Sequence, residues 1–319
     1  MSLQLILGSS GSGKSYRLYE EVIRESMENP SANYIVLVPE QFTMGTQEKL
    51  VKMHPNHGVL NVDIASFVRL AYKVFEELGV ADKEVLDDTG KSLIVRKILE
   101  DKKDELVTFK KNIDKPGFVE EVKSAISEML QYGVAPGQLK EAADQITNPL
   151  LQYKLRDMAA VFDGFKRYID GKYIASEEIL EVLCRVAHRS RILRDSVITL
   201  DGFTGFTPIQ YRLIRILMEC CEKITVTLTI DSAEKINVRD GLSNLFYLSK
   251  NTAHRLYAIA DETGTAILPQ VWMDDSMPVR LRNSEGLVFL EKNIFRYHGH
   301  LYTRRDDSVR IFEGNMPKN

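Results

Sequence analysis

Cysteine is scarce in this chain. Its 319 residues include only Cys184, Cys220 and Cys221. An odd count with no C-x-x-C pair offers neither a disulfide framework nor a zinc site, and structural thiols in a reducing cytoplasm are the expectation. No run approaches the roughly 18 apolar residues of a membrane-spanning helix. No signal-peptide layout precedes the first apolar run. Neither a membrane association nor export is therefore expected, and the expected compartment is the cytoplasm. An excess of basic charge is missing too: 42 Lys and Arg against 45 Asp and Glu leave a net charge of −3. That argues against a protein that coats DNA through a global field, but it allows a local basic groove. His54 and His57 bracket a loop without a carboxylate or thiol beside them, which does not make a metal site.

What is present is ordinary for globular chains, with 44% hydrophobic and 27% charged residues. At this length two domains are expected. The organising stretch is Gly8-Ser9-Ser10-Gly11-Ser12-Gly13-Lys14-Ser15. The apolar run Leu3-Gln4-Leu5-Ile6-Leu7 precedes it, and a helical pattern with Tyr19, Val22, Ile23 and Met27 on one face follows. Strand, glycine-rich loop and helix are the context in which G-x-x-x-x-G-K-[ST] binds phosphate. Glycines let bare backbone N–H groups close on an anion, and the helix N-terminus adds its free donors. Lys14 would reach the outer phosphates of ATP, and the Ser15 hydroxyl would ligate Mg²⁺. The competing reading is a flexible Ser/Gly loop, which the flanking strand and helix disfavour.

Tyr34-Ile35-Val36-Leu37-Val38 reads as a parallel strand buried on both faces. Loops at the carboxyl ends of such strands hold ligands. Gln41 and Thr43 in Pro39-Glu40-Gln41-Phe42-Thr43 are therefore candidate polar contacts, with Gln41 placed at the ATP site; a capped turn feeding the next helix is the alternative. A third strand is expected over residues 59–64, then a helix capped by Ser66, on which Arg69 is by default a solvated charge. From residue 84 the strand pattern stops for about a hundred residues. Helical faces follow: Phe118, Val122, Ala125, Ile126 and Met129; Leu155, Met158, Ala159, Phe162 and Ile169; Ile179, Leu183 and Val186. Loops are expected at 114–117 and at 135–137.

Strand character returns at Ser196-Val197-Ile198-Thr199-Leu200 and ends in Asp201-Gly202. An apolar strand ending in Asp resembles the element whose carboxylate serves Mg²⁺. Gly202 stands where an acidic side chain could orient a hydrolytic water, so slow or absent hydrolysis is expected. Thr207, Pro208 and Gln210 compose a helix start with a capping box. Leu213, Ile216 and Leu217 should face inward. Residues 224–230 alternate as a strand, and 243–260 read as a helix. The stretch with Pro269, Trp272 and Pro278 reads as irregular, with Trp272 a packed aromatic rather than a base-stacking one. A last strand is expected to begin at 309–312, in a chain that looks truncated.

Taken together, these motifs resemble the N-terminal part of the AddB/RexB family, the B subunits of bacterial AddAB helicase–nucleases. The likeness is carried by Leu5-Ile6-Leu7-Gly8 with Gly11-Ser12-Gly13-Lys14-Ser15, by Val38-Pro39-Glu40-Gln41-Phe42-Thr43, and by Ser66-Phe67 through Leu70-Ala71. It continues in Lys115-Pro116-Gly117-Phe118, Lys154-Leu155-Arg156-Asp157-Met158, and Asp201-Gly202-Phe203 through Phe206-Thr207-Pro208-Ile209-Gln210. The resemblance implies an α/β fold: a RecA-like P-loop NTPase domain of the superfamily 1 helicase type, residues 1–83 and 191–308, split by a helical subdomain, residues 84–190. Residues 309–319 would begin a second RecA-like domain. It also implies a heterodimer with an AddA-type motor subunit, action on DNA ends in recombinational repair with a Chi response, and a C-terminal nuclease. The cysteines for that nuclease's 4Fe–4S cluster would lie beyond Asn319. ATP and Mg²⁺ are the cofactors implied for this part. Only seven residues precede Gly8, which leaves no upstream glutamine motif to read adenine. With Gly202, and with no facing domain, this implies weak ATP binding and little turnover. Ala175 departs from the family, which usually carries an acidic residue in that stretch. Two other classes remain open. One is a small P-loop kinase. The other is a DNA- or partner-binding module with a vestigial loop, whose candidate patch is His188-Arg189-Ser190-Arg191 with Arg194.

Overall fold

A computed structural model describes residues 1–58, 60–80, 84–236, 238, 241–274, 278–296, 299–304, 307–310 and 312. The chain opens with β1 (Ser2–Gly8), α1 (Lys14–Glu28), β2 (Tyr34–Leu37), α2 (Thr43–Met53) and β3 (Val62–Ala65). A mainly helical stretch follows: α3 (Phe67–Leu78), β4 (Glu84–Leu86), α4 (Asp88–Asp101), α5 (Phe118–Gln131), α6 (Pro136–Gln145), α7 (Pro149–Ile169), β5 (Tyr173–Ala175) and α8 (Ile179–Val186). The chain then forms β6 (Val197–Leu200), α9 (Pro208–Cys220), β7 (Lys223–Thr229), α10 (Tyr247–Thr263), β8 (Ala266–Ile267), β9 (Val271–Trp272) and α11 (Glu285–Asn293). Two compact units result. The first holds Met1–Ser66, Leu193–Gly205 and Leu217–Asn319, and the second Phe67–Ile192 and Phe206–Ile216.

The first unit is α/β. Its strands run in the order β3-β2-β6-β7-β1-β8, with β9 on the same side of β1 further along. Every pairing among the described residues of this sheet is parallel. Strands covered by helices on both faces read as continuous apolar runs, and all four residues of β2 and of β6 are buried. In β7, which lies between β6 and β1, Thr225 and Thr227 are buried along with their apolar neighbours. Helix α1 packs Leu18, Tyr19, Val22 and Ile23 inward. The inward face continues at Ser26, whose hydroxyl donates to the Ile23 carbonyl, while Met27 is exposed. A helix has 3.6 residues per turn, so the fourth-turn position falls at 26 rather than 27.

The second unit has its own core. Val95, Leu99, Val122, Ile126, Val161, Phe162 and Phe165 are among its buried residues. Its absence of strands is corrected by β4 and β5, which pair in parallel as a two-stranded sheet. At three residues each they are too short for an alternation to register. Ala175 in β5 is fully buried in that core, a setting in which an unpaired carboxylate would be costly. Asp157 is buried on α7 and accepts the backbone N–H groups of Val107, Thr108 and Phe109 at 3.0, 2.6 and 2.9 Å. It is a structural cap for the turn after α4.

Several boundaries move. Of the third strand, Val59 lies outside the described residues, and β3 starts only at Val62. Ahead of it the Asn61 amide donates to the carbonyls of Ser26 and Ala32. Residues 135–137 are not a loop between helices but the start of α6, with Pro136 in the first turn, where its missing N–H costs nothing. Helix α10 begins at Tyr247, after a turn in which the Asn244 side chain accepts the Phe246 N–H, and ends in left-handed Gly264. The irregular stretch contains β8 and β9. Trp272 in β9 is 37% exposed and bonds Gln270 through its indole N–H; it is not a core aromatic. Helix α11 was not anticipated. The residues around 309–312 form no strand where described, and Ile311 and 313–319 lie outside the described residues. No helix among the described residues is long and apolar enough to cross a membrane.

Candidate functional site

The parallel register decides what meets at the carboxyl edge of the sheet. Gly8 pairs with Thr229 and Leu200 with Val226, so Asp201 falls one step beyond β6, level with Thr227. Thr227 Oγ1 donates to Asp201 Oδ1 at 2.6 Å. From the other side of β7, α1 supplies Ser15, whose Oγ donates to the same carboxylate at 3.0 Å, and Tyr19, whose hydroxyl donates to Oδ2 at 2.7 Å. Tyr19 OH also lies 3.4 Å from Thr46 Oγ1 on α2. Asp201 is thus buried yet satisfied on both oxygens. Burial, reinforced by the Asp201 charge, pushes the Tyr19 phenol upward, so it remains a donor.

The loop itself is tight. A Cβ on Gly8 would lie 2.5 Å from Ser12 Oγ and 2.8 Å from Met273 Cβ. Gly13, at φ +98°, is the left-handed residue that turns the chain into α1, a conformation costing other residues roughly 1–2 kcal/mol. Ser9 Oγ and Ser12 Oγ are buried, with no hydrogen-bond partner among the described residues. Lys14 folds back, donating to the carbonyls of Gly8 at 2.9 Å and Ser9 at 2.8 Å. Burial lowers its pKa to about 8, against the pull of Asp201 and Glu291.

Sequence reasoning located Gly8–Ser15 and Asp201, and the fold brings Ser15 and Asp201 together. Tyr19 and Thr227 were missed as polar partners: each sits in a pattern that reads as core, and only the packing of α1 and the register of β7 turn them toward Asp201. Gln41 is exposed and shares no hydrogen bond with the loop among the described residues. Thr43 closes the turn through Glu40 O at 3.0 Å, which is the capped-turn alternative. In the second unit, Arg69 is exposed on α3. The main chain after His188-Arg189 is fixed by Glu77, which accepts Ser190 Oγ at 2.5 Å and the Arg191 N–H at 2.6 Å. His54 uses Nδ1 to accept the Asn56 N–H. No group of three or more His, Cys, Asp or Glu suited to a metal occurs among the described residues. The three thiols are free, and burial raises Cys184 to about 11.

Chemically the edge offers two things side by side. Lys14, the loop amides and the Ser9 and Ser12 hydroxyls, unpartnered among the described residues, are donors for an anion. Asp201, Ser15 and Thr227 are hard oxygen atoms of the kind Mg²⁺ takes. Parallel sheet, glycine-rich loop after the first strand and a carboxylate at the end of a nearby strand define an α/β protein with a candidate site at the carboxyl edge. The chain belongs to the AddB N-terminal family, whose profile, described as "ADDB, N-terminal", matches residues 5–291. It is 44% identical over 321 residues to the B subunit of the ATP-dependent helicase/deoxyribonuclease of Lachnoclostridium phytofermentans, covering 99% of this chain and 28% of that protein. The B subunit of the same enzyme from Geobacillus kaustophilus is 35% identical over 323 residues, with 99% and 27% covered. That from Caldanaerobacter subterraneus subsp. tengcongensis is 32% identical over 314 residues, with 98% and 27% covered. The chain therefore spans only 27–28% of the length of these curated relatives.

Proposed function

We propose that this chain is the ATP-binding, helicase-like N-terminal region of the B subunit of a helicase–deoxyribonuclease that processes DNA ends. The observation that carries the reading is the Ser15–Asp201 contact at 3.0 Å, made across β7 beside a loop in which the Ser9 and Ser12 hydroxyls are buried without a partner among the described residues. Gly8–Ser15 is read as the phosphate loop of a RecA-like domain, residues 1–83 and 191–308, and 84–190 as its helical insertion. Lys14 would leave the loop's own carbonyls for the outer phosphates of ATP. Ser15 and Asp201 would hold Mg²⁺, which when bound neutralises phosphate charge. Gln41 is retained as a nucleotide contact only if the turn at 39–43 rearranges.

Hydrolysis is expected to be slow. Gly202 follows Asp201, so no carboxylate stands there to orient water. The motor activity is assigned to a partner subunit of AddA type, and the nuclease to the remainder of the full-length protein. An iron–sulfur cluster does not fit this region: Cys220 and Cys221 are adjacent and Cys184 belongs to the other unit. Any cluster ligands lie elsewhere in the full-length protein.

The test is nucleotide binding and turnover by the full-length protein. MgATP binding that Lys14→Ala abolishes, with turnover far below one per second, is the expected result. Binding unaffected by Lys14→Ala would overturn the reading of the loop; robust Lys14-dependent turnover in the absence of the AddA-type partner would overturn the expectation of slow hydrolysis.

A further inference from the structure

Tyr19 ties a core helix to the site carboxylate. Its ring belongs to the buried cluster that also holds Ile6, Val22, Val36 and Leu50. A phenylalanine would fill that place without a hydroxyl to desolvate. The Tyr19 hydroxyl donates instead to Asp201 Oδ2 at 2.7 Å. Ser15 at 3.0 Å and Thr227 at 2.6 Å donate to Oδ1. The carboxylate is thereby fixed at both oxygens, with Oδ1 on the side of Ser15.

The chain of hydroxyls does not stop at Tyr19. Thr46 Oγ1, in α2, lies 3.4 Å from the phenol oxygen, and both residues are buried. A phenol has one proton to give. Here it goes to Asp201, so Thr46 is the donor to Tyr19. Helices α1 and α2 thus converge through hydroxyls on one acidic group. In a setting withdrawn from water, such linked bonds strengthen one another.

A serine hydroxyl can give its proton to a carboxylate while its oxygen lone pairs face a cation. The Ser15 proton is already on Asp201 Oδ1. Asp201 therefore acts on a cation in two ways: by orienting Ser15 and by its own charge. Tyr19 bears on both, since a donor that fixes a carboxylate also offsets part of its charge.

Resting on the nucleotide-binding reading above, we infer that Tyr19 is a positioning residue that sets how strongly nucleotide binding depends on a divalent cation: its hydroxyl keeps Asp201 turned to Ser15 and offsets part of the carboxylate charge beside the phosphate loop. With the offset in place, the loop accepts metal-free nucleotide at a smaller penalty. Without it, the uncompensated carboxylate repels the bare phosphates and attracts the cation of the metal-bound form.

Titration calorimetry of ATP into the full-length protein, in Mg²⁺ and in EDTA, tests this, with Lys14→Ala as the blank. The quantity read is the Kd in EDTA divided by the Kd in Mg²⁺. Tyr19→Phe should raise that ratio about tenfold, as fits the loss of a hydrogen bond to a charged group. Thr46→Val leaves Tyr19 on Asp201 and removes only the bond behind it, so it should raise the ratio by about twofold. It serves as the test if Tyr19→Phe does not fold. A role in the core alone would shift both Kd values together and leave the ratio as it is. Lys14-dependent binding with a ratio that is unchanged or lowered overturns the inference and leaves the nucleotide site standing. No Lys14-dependent binding in any variant overturns the nucleotide site and the inference with it.

Discussion

Asp201 collects three hydroxyl donors, from Ser15, Tyr19 and Thr227. A hydrogen bond to a charged group contributes about 1.5–3 kcal/mol. Tyr19→Phe keeps the ring in the core and removes one donor, so it should cost about 2 kcal/mol in urea denaturation. Lys14 makes a second prediction. Its folded pKa is about 8 against an ordinary 10.5. Between those values the unfolded chain binds more protons than the folded one, so stability rises with pH across about 8 to 10. Lys14→Met should flatten that rise. On the proposed nucleotide-binding role, the same titration removes the cation facing the phosphates, so nucleotide affinity in the wild type should fall as pH passes about 8.

At the scale of elements, two polar residues determine local geometry that apolar patterning leaves open. Asp157 on α7 gathers three backbone N–H groups and the Thr108 hydroxyl. Asp157→Ala would leave buried donors without partners, at about 1–3 kcal/mol for each unpaired group. A total loss of about 3 kcal/mol or more is expected, with Asp157→Asn milder because it keeps an acceptor; thermal denaturation followed by circular dichroism measures both. In the same way, Asn61 fixes the entry to β3 by bonding the carbonyls of Ser26 and Ala32. Helices α5, α7 and α8 were readable from spacing because Val122 and Ile126, or Phe162 and Ile169, repeat at helical intervals; α4 and α6 were not read as helices. The strands β4, β5, β8 and β9 were not readable either. At two or three residues each they carry no period, and they exist only through the partners they pair with.

For the molecule as a whole, the two units have separate cores. Phe162 and Phe165 are fully buried in the second, while Ile6, Leu18 and Val36 belong to the first. Phe162→Ala should cost about 3–5 kcal/mol and yet leave Lys14-dependent nucleotide binding unchanged below the transition. Loss of binding in a still-folded Phe162→Ala protein would mean that the second unit supports the loop. The chain passes between the units at 66/67, 192/193, 205/206 and 216/217. A single cut of the sequence therefore cannot separate them, and no composition shift announces the return at 206.

The strand–loop–helix start, the buried parallel strands and the Asp at the end of β6 were determined by the sequence alone. Each is a local matter of period, glycine placement and chain direction, and so was the family resemblance they carry. The tertiary structure decided what surrounds Asp201 and the loop. Thr227 reaches the carboxylate because β7 lies between β6 and β1 in a parallel register. Tyr19 reaches it because α1 packs its second turn over that edge, and the segment ahead of α11 meets the loop where the Arg280 N–H bonds Gly11 O. Those contacts join residues as far apart in sequence as Gly11 and Arg280, and no local pattern encodes a distance of that kind.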